Sequence, residues 1–279
     1  MWINLHHFLY QQALVLNTTL FSGLPSDERV QWLNGIDYYR SNLANRDLLF
    51  DTGMVKIKNM LEDVETDNTI QGELLPPKLA DILNTLSASY RAHFWKHQDS
   101  TNKAWIGQTV FLINQYGKDI SMQLERLYLT VWPNDTLKVD VTGFASWAGA
   151  YTTVDPNRIT VSSIDTSNER EAALEIVFHE ASHVLIDSVR AKISAICKRD
   201  SKLLPRRDLW HAILFYTTGE VVRMHIAGYT PYAYKNGLWK KAWPMYIDWL
   251  EKDWLPYIKS EETFDNAVNQ LAKDVEVDK

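Results

Sequence analysis

The sequence predicts an α+β fold, mainly helical, with one small and mostly antiparallel sheet set between two helical regions. Three observations carry this. Residues before about 125 place apolar side chains at helical spacing, residues 126–163 turn β-branched and alternating, and the helical period returns at Thr166.

Each element follows in chain order. Ser26-Asp27-Glu28 opens an amphipathic stretch to about Asn45, with Val30, Leu33 and Ile36 on its apolar side. Pro76-Pro77 opens another that carries Leu79, Ile82, Leu83, Leu86 and Tyr90, proline being suited to a first helical turn. A third runs from about Ser100 to Met122, interrupted near Gly117, whereas 51–75 is less regular. Strand signals come from Leu127–Trp132, Leu137–Gly143, Tyr151–Val154 and Arg158–Ser163, the last two flanking the turn-forming Asp155-Pro156-Asn157. Thr166-Ser167-Asn168-Glu169 has the form of a capping box, which opens a helix to about Lys198. A helix from about Arg206 to Ile226 ends before Gly228 and Pro231, and a tail from Leu238 to Asp274 is helical. The pattern divides the chain into a helical lobe, 1–125, and a second lobe, 126–279. The second holds the sheet (126–163), the helices 166–198 and 206–226, and the tail.

Composition bounds the function. The 279 residues are 46% apolar and 23% charged, as in an ordinary globular chain with a sizeable core. A net charge of −6 without a Lys/Arg cluster argues against nucleic acid as a partner. No apolar run is long enough for a membrane span. The first sixteen residues lack the basic-then-apolar order of a signal peptide, and the compartment stays open. A single cysteine, Cys197, excludes an internal disulfide and a cysteine-built zinc site.

Chemistry concentrates in His179-Glu180-Ala181-Ser182-His183. Histidines four apart on a helix share a face about 6 Å apart, and two imidazoles so placed can reach one tetrahedral zinc ion. Glu180 lies beside the pair, where a carboxylate can take a proton from an attacking water and hand it to the leaving group. Uncharged flanks, Ile176-Val177-Phe178 and Val184-Leu185-Ile186, suit a buried active-site helix; the alternative is a helix with two incidental histidines. Glu175 and Asp187, four residues outside each histidine, are candidates to accept the second ring N–H of a ligand and fix its tautomer, or else simply face water. His93 and His97 share the spacing but lack the following Glu and carry Lys96 between them, so they read as an exposed helix end; His6-His7 reads as structural or solvent-facing.

On these residues the chain resembles the zincin metallopeptidases, and more narrowly the gluzincins, the thermolysin-like group. The resemblance covers about residues 126–230. It implies a Zn2+ cofactor, a peptide or protein substrate, and a third zinc ligand that is a Glu on a later helix. The matching position is Glu220, the one acidic residue in an apolar and aromatic stretch from Leu209 to Val222, where a lone carboxylate is costly unless paired or metal-bound. Pairing with Arg223 is the other account of Glu220, and His211, His225 and Asp187 are rival ligands. The resemblance also implies a donor to the oxyanion, with Tyr232 the candidate among Tyr229, Tyr232 and Tyr234. It implies an edge strand that pairs with substrate, for which Trp147, Ala148 and Gly149 are candidates. The expected function is a zinc-dependent metallopeptidase. A zinc amidase acting on a small substrate, or a zincin-fold binding protein without activity, are the alternatives.

Overall fold

A computed structural model describes residues 1–15, 17–66, 68–71, 73–134, 136–154, 156–199 and 208–274. The chain is α+β, mostly helical with a three-stranded sheet. In order the elements are α1 (Trp2–Val15), α2 (Ser26–Asn42), α3 (Thr52–Glu62), α4 (Pro77–Tyr90), α5 (Lys96–Tyr128), β1 (Lys138–Thr142), β2 (Ala150–Val154), β3 (Asn157–Ser162), α6 (Glu171–Ala181), α7 (Asp187–Arg199), α8 (Leu209–His225), α9 (Tyr232–Lys235), α10 (Leu238–Lys241), α11 (Ile247–Trp249), α12 (Leu255–Ile258) and α13 (Phe264–Asp274). None of the described helices is long and apolar enough to cross a membrane.

Contacts divide the chain into one unit of Met1–Gly107 with Lys138–Asn168, and a second of Gln108–Leu137 with Glu169–Lys279. The sequence placed one boundary at 125/126; in the structure the chain crosses between units three times, and the sheet belongs with the N-terminal helices.

In the first unit, α1 to α4 bury an aromatic cluster in which Phe8, Phe21, Trp32, Tyr90 and Phe94 meet with ring centroids 5.1–6.4 Å apart. Asp51 caps α3 by accepting from the Gly53 and Met54 amides. The sheet order is β1-β3-β2, with β2 antiparallel to β3 and β1 parallel to it, Val139 opposite Ile159. The sheet is therefore mixed and not mostly antiparallel.

Leu127–Trp132, expected as a strand, is the end of α5 and the turn after it. Ile120, Leu124, Leu127 and Tyr128 are all fully buried and continue the helical period, and the helix stops where Leu129 takes φ +52°. Trp132 then folds back along α5, its amide donating to Glu125 Oε1 (2.8 Å) and its indole to the Ser121 carbonyl (3.2 Å). Trp147, Ala148 and Gly149 are not a strand either. They form a turn ahead of β2, held by the Gly149 amide on the Ser146 carbonyl and the Ala148 amide on Ser146 Oγ. Gly149 has φ +76°, which glycine alone adopts freely, so an extended substrate-pairing edge cannot form there.

This unit also buries charge. Lys58 and Glu62 have fully buried side chains 3.2 Å apart, and Arg158 bonds Glu62 (2.6 Å) and Asp63 (3.0 Å). His6 and His7 are buried and structural, on the Tyr39 and Tyr151 hydroxyls at 2.8 and 3.0 Å.

In the second unit the core gathers Ile120, Leu124, Leu174, Phe178, Ile213, Val221, Trp254 and Leu271 around α6 and α8. The single helix expected over 166–198 is four pieces. Thr166–Asn168 is a 3-10 turn whose Ser167 amide is taken by Asp165 (2.9 Å), so the capping box does not form. α6 starts after Arg170, which has φ +56°. A second 3-10 turn, Ser182–Val184, separates α6 from α7. The start of the helix expected from Arg206 lies outside the described residues; α8 begins at Leu209. The tail is helical, in short pieces interrupted by a π-helical turn at Leu250–Trp254.

Candidate metal centre

His179 stands on the last turn of α6, His183 on the 3-10 turn that follows, and His211 on the first turn of α8. Their ring centroids form a near-equilateral triangle, 5.4 Å between His179 and His183, 5.3 Å between His179 and His211, and 5.4 Å between His183 and His211. One ligating atom from each falls within 4.8 Å of the other two. His179 Nε2 lies 3.3 Å from His211 Nε2.

Aromatic side chains fix these rings. Phe215, one helical turn after His211, stacks on His179 at 3.6 Å. Trp210 stacks on His211 at 5.0 Å, and Trp243 stands edge-on to it at 5.5 Å. Asp208 anchors Trp243 and Tyr246 by accepting from both (2.9 and 2.8 Å), which holds this wall in place. His179 is buried, whereas His183, Trp210, His211 and Phe215 are part-exposed, so solvent reaches one side of the triangle.

Burial keeps all three imidazoles neutral. It pushes His179 well below its ordinary pKa, helped by His211 and His183. His183 is lowered to about 3 by burial, then by His211 and Arg190, and His211 to about 4 by burial and then Arg190. A neutral imidazole is the form that binds metal.

The donor set fits zinc. Two Zn–N bonds of about 2.05 Å at the tetrahedral angle put their nitrogens about 3.3 Å apart, the separation found between His179 and His211. Three nitrogen ligands leave a fourth position open, as catalytic zinc sites require. Glu180 is buried beside the group, Oε2 3.8 Å from His183 Nε2.

Other expected site residues lie elsewhere. Glu220 is nine positions beyond His211 on α8, half a turn round and about 13 Å along the axis, and its carboxylate bonds Arg223 instead. The pairing weighed as its alternative is the one that forms, so Glu220 is not with the histidines. Asp187 does not receive a His183 N–H: the 3-10 turn breaks the i,i+4 stripe, and its side chain is 82% exposed and paired with Arg190. Glu175 is buried but accepts from the Tyr229 hydroxyl (2.7 Å) and the Tyr232 amide (2.9 Å), and Nδ1 of His179 has no hydrogen-bond partner. Tyr232 is buried with its ring 6.1 Å from Phe215, one ring removed from His179. Trp147, Ala148 and Gly149 belong to the first unit, in the turn described above.

His211 was visible only as a rival ligand, and Arg190, Trp210 and Phe215 were not singled out. The available signal was Trp210-His211 followed four residues later by Phe215, an aromatic face with one histidine in it. No family model matches the chain, and neither a curated protein nor a solved structure matches it.

Proposed function

We propose that this chain is a zinc-dependent hydrolase of zincin type, a metallopeptidase with His179, His183 and His211 as ligands and Glu180 as the proton carrier. The observation that carries the reading is the triangle of three neutral imidazoles, one buried and two part-exposed, with a 3.3 Å Nε2–Nε2 separation between His179 and His211 and a carboxylate alongside. The gluzincin ligand set is replaced by an all-histidine one, since the later helix presents His211 to the pair rather than Glu220.

Zinc held there supplies Lewis acidity, which lowers the pKa of water and polarises a carbonyl. The chain's own groups do the rest. Glu180 takes the proton from the attacking water and delivers it to the leaving amine, a role worth about 10²–10⁴-fold in rate. Phe215, Trp210 and Trp243 hold the imidazoles in orientation and keep the buried side of the centre dry.

The test is metal analysis of the purified chain together with hydrolysis of a peptide library. One zinc per chain, retained in Glu180→Gln while cleavage is lost, is expected. A wild type that binds no zinc from micromolar solution, or a Glu180→Gln variant with undiminished turnover, defeats the proposal.

A further inference from the structure

We propose that Arg190, laid flat on Trp210, is the anion-recognition residue of this centre, and that the substrate carries a carboxylate close to the bond that is cut. The word substrate rests on the hydrolase reading above; the binding of a carboxylate by Arg190 does not.

The geometry starts from Trp210. Its ring stacks on His211 at 5.0 Å with planes 23° apart, and stands edge-on to His183 at 5.7 Å and 77°. Arg190, from the first turn of α7, places its Cζ 3.6 Å from the centroid of the same indole. One guanidinium is thus one ring away from two of the three histidines.

A permanent cation beside a site for a divalent cation is electrostatically costly. The cost is offset when an anion bridges the two. Stacking on an indole covers the face of the guanidinium and leaves its in-plane N–H donors free, the edge that matches a carboxylate bidentately. Among the described residues the carboxylate facing Arg190 is Asp187, at 3.3 Å from Nη1. That pair is weak: Asp187 is 82% exposed and Arg190 40% exposed, and exposed pairs of this kind contribute little. The contrast within the chain is direct. Arg158 is tied to Glu62, Asp63 and Asp140, and Arg223 to the buried Glu220. Arg190 alone of the three is preoriented by an aromatic platform and left with a partner that water competes for.

Three N-blocked tripeptides of one sequence test this: a free C-terminal carboxylate, the C-terminal amide, and the amide with a Glu side chain at the last position. Binding is measured by calorimetry on the full chain, zinc-loaded and metal-free, for wild type, Arg190→Gln and Arg190→Lys at matched zinc content. We expect at least one carboxylate peptide to bind wild type about tenfold or more tighter than the neutral amide, a charge-assisted pair being worth that much. That preference disappears in Arg190→Gln and partly returns in Arg190→Lys, and which acidic peptide wins tells main-chain from side-chain carboxylate. Equal binding of all three peptides by wild type overturns the proposal even if Arg190→Gln does not fold. So does a preference that survives Arg190→Gln, which puts the carboxylate on the metal. Turnover is read separately on the same peptides, so lost hydrolysis speaks to the proposed function and lost preference to Arg190.

Discussion

The backbone of Gly219 lies directly against the carboxylate of Glu175: a Cβ placed on Gly219 falls 3.2 Å from Glu175 Oε1 and 2.7 Å from Pro231 Cβ. α8 therefore uses a missing side chain to let a buried acid of α6 and a proline before α9 approach it. Gly219→Ala sets two effects against each other. Alanine in a helix interior gains about 1 kcal/mol over glycine, while forcing a rigid proline ring aside costs about 1–3 kcal/mol. The contact outweighs the helix gain over most of that range, and urea denaturation is expected to show a net loss of up to about 2 kcal/mol. Greater stability in the variant would mean that Pro231 gives way freely.

Glu175 itself predicts a pH dependence. Burial raises it from 4.5 to about 7, against the lowering effect of the Tyr232 amide and Tyr229 hydroxyl bonds. A folded pKa above the unfolded one means that the folded chain holds this proton more tightly. The contribution is complete below pH 4.5 and is lost as pH rises through about 7. Over that window it amounts to about 3 kcal/mol. Glu175→Gln keeps an oxygen for both donors and removes the titration. Its stability minus that of wild type is expected to grow from pH 5 to pH 8 in denaturant titrations; a constant difference would show that Glu175 is already ionised.

The proposed ligand set predicts a pair of variants with opposite outcomes. His211→Ala is expected to weaken zinc binding by more than the 10–100-fold typical of an outer partner. Glu220→Gln, whose position is half a turn round α8, is expected to keep full zinc content. Mass spectrometry on both, side by side, decides between the all-histidine centre and a Glu-ligated one.

Much of this was legible in the sequence, for identifiable reasons. The helices α2 and α4 announce themselves by apolar spacing and proline starts, and the β2–β3 hairpin by Pro156 between alternating runs. The nearness of His179, Glu180 and His183 is legible because it depends on spacing within about one turn. What failed depends on long-range packing. Tyr128, Thr130, Val131 and Trp132 carry β-favouring side chains, yet the burial of Leu127 and Tyr128 with Ile120 and Leu124 keeps the chain helical to Tyr128. The 3-10 turn at Ser182–Val184 has no composition signal, and it turns Asp187 away from His183 towards Arg190. His211 over Glu220 is a choice between two faces of one helix, which only the tertiary packing of α8 on α6 makes. Arg223, three residues on, satisfies the carboxylate that otherwise pointed to a metal.

In the first unit, Lys58 is the sensitive position. Its ammonium is fully buried between Glu62 at 3.2 Å and Thr153 Oγ1 at 3.1 Å, and burial pulls its pKa down while Glu62 pulls it up. Replacing it with methionine keeps the volume but leaves Glu62 with Arg158 alone. Removing one partner of a buried pair typically costs about 3–5 kcal/mol, and Lys58→Met is expected near the lower figure because Arg158 remains. A thermal midpoint unchanged from wild type would show that Glu62 takes up a proton instead at little cost.

The low pKa values of the three histidines have a consequence for how the proposed centre would fill. Ligands that are already deprotonated in the folded chain have no hydrogen ions to surrender, so uptake of zinc at pH 6 is expected to exchange almost none with the medium. The heat of loading should then coincide in buffers of widely different ionisation enthalpy, and the acid limit of retention should fall near pH 4 rather than near the 6.5 of an unconstrained imidazole.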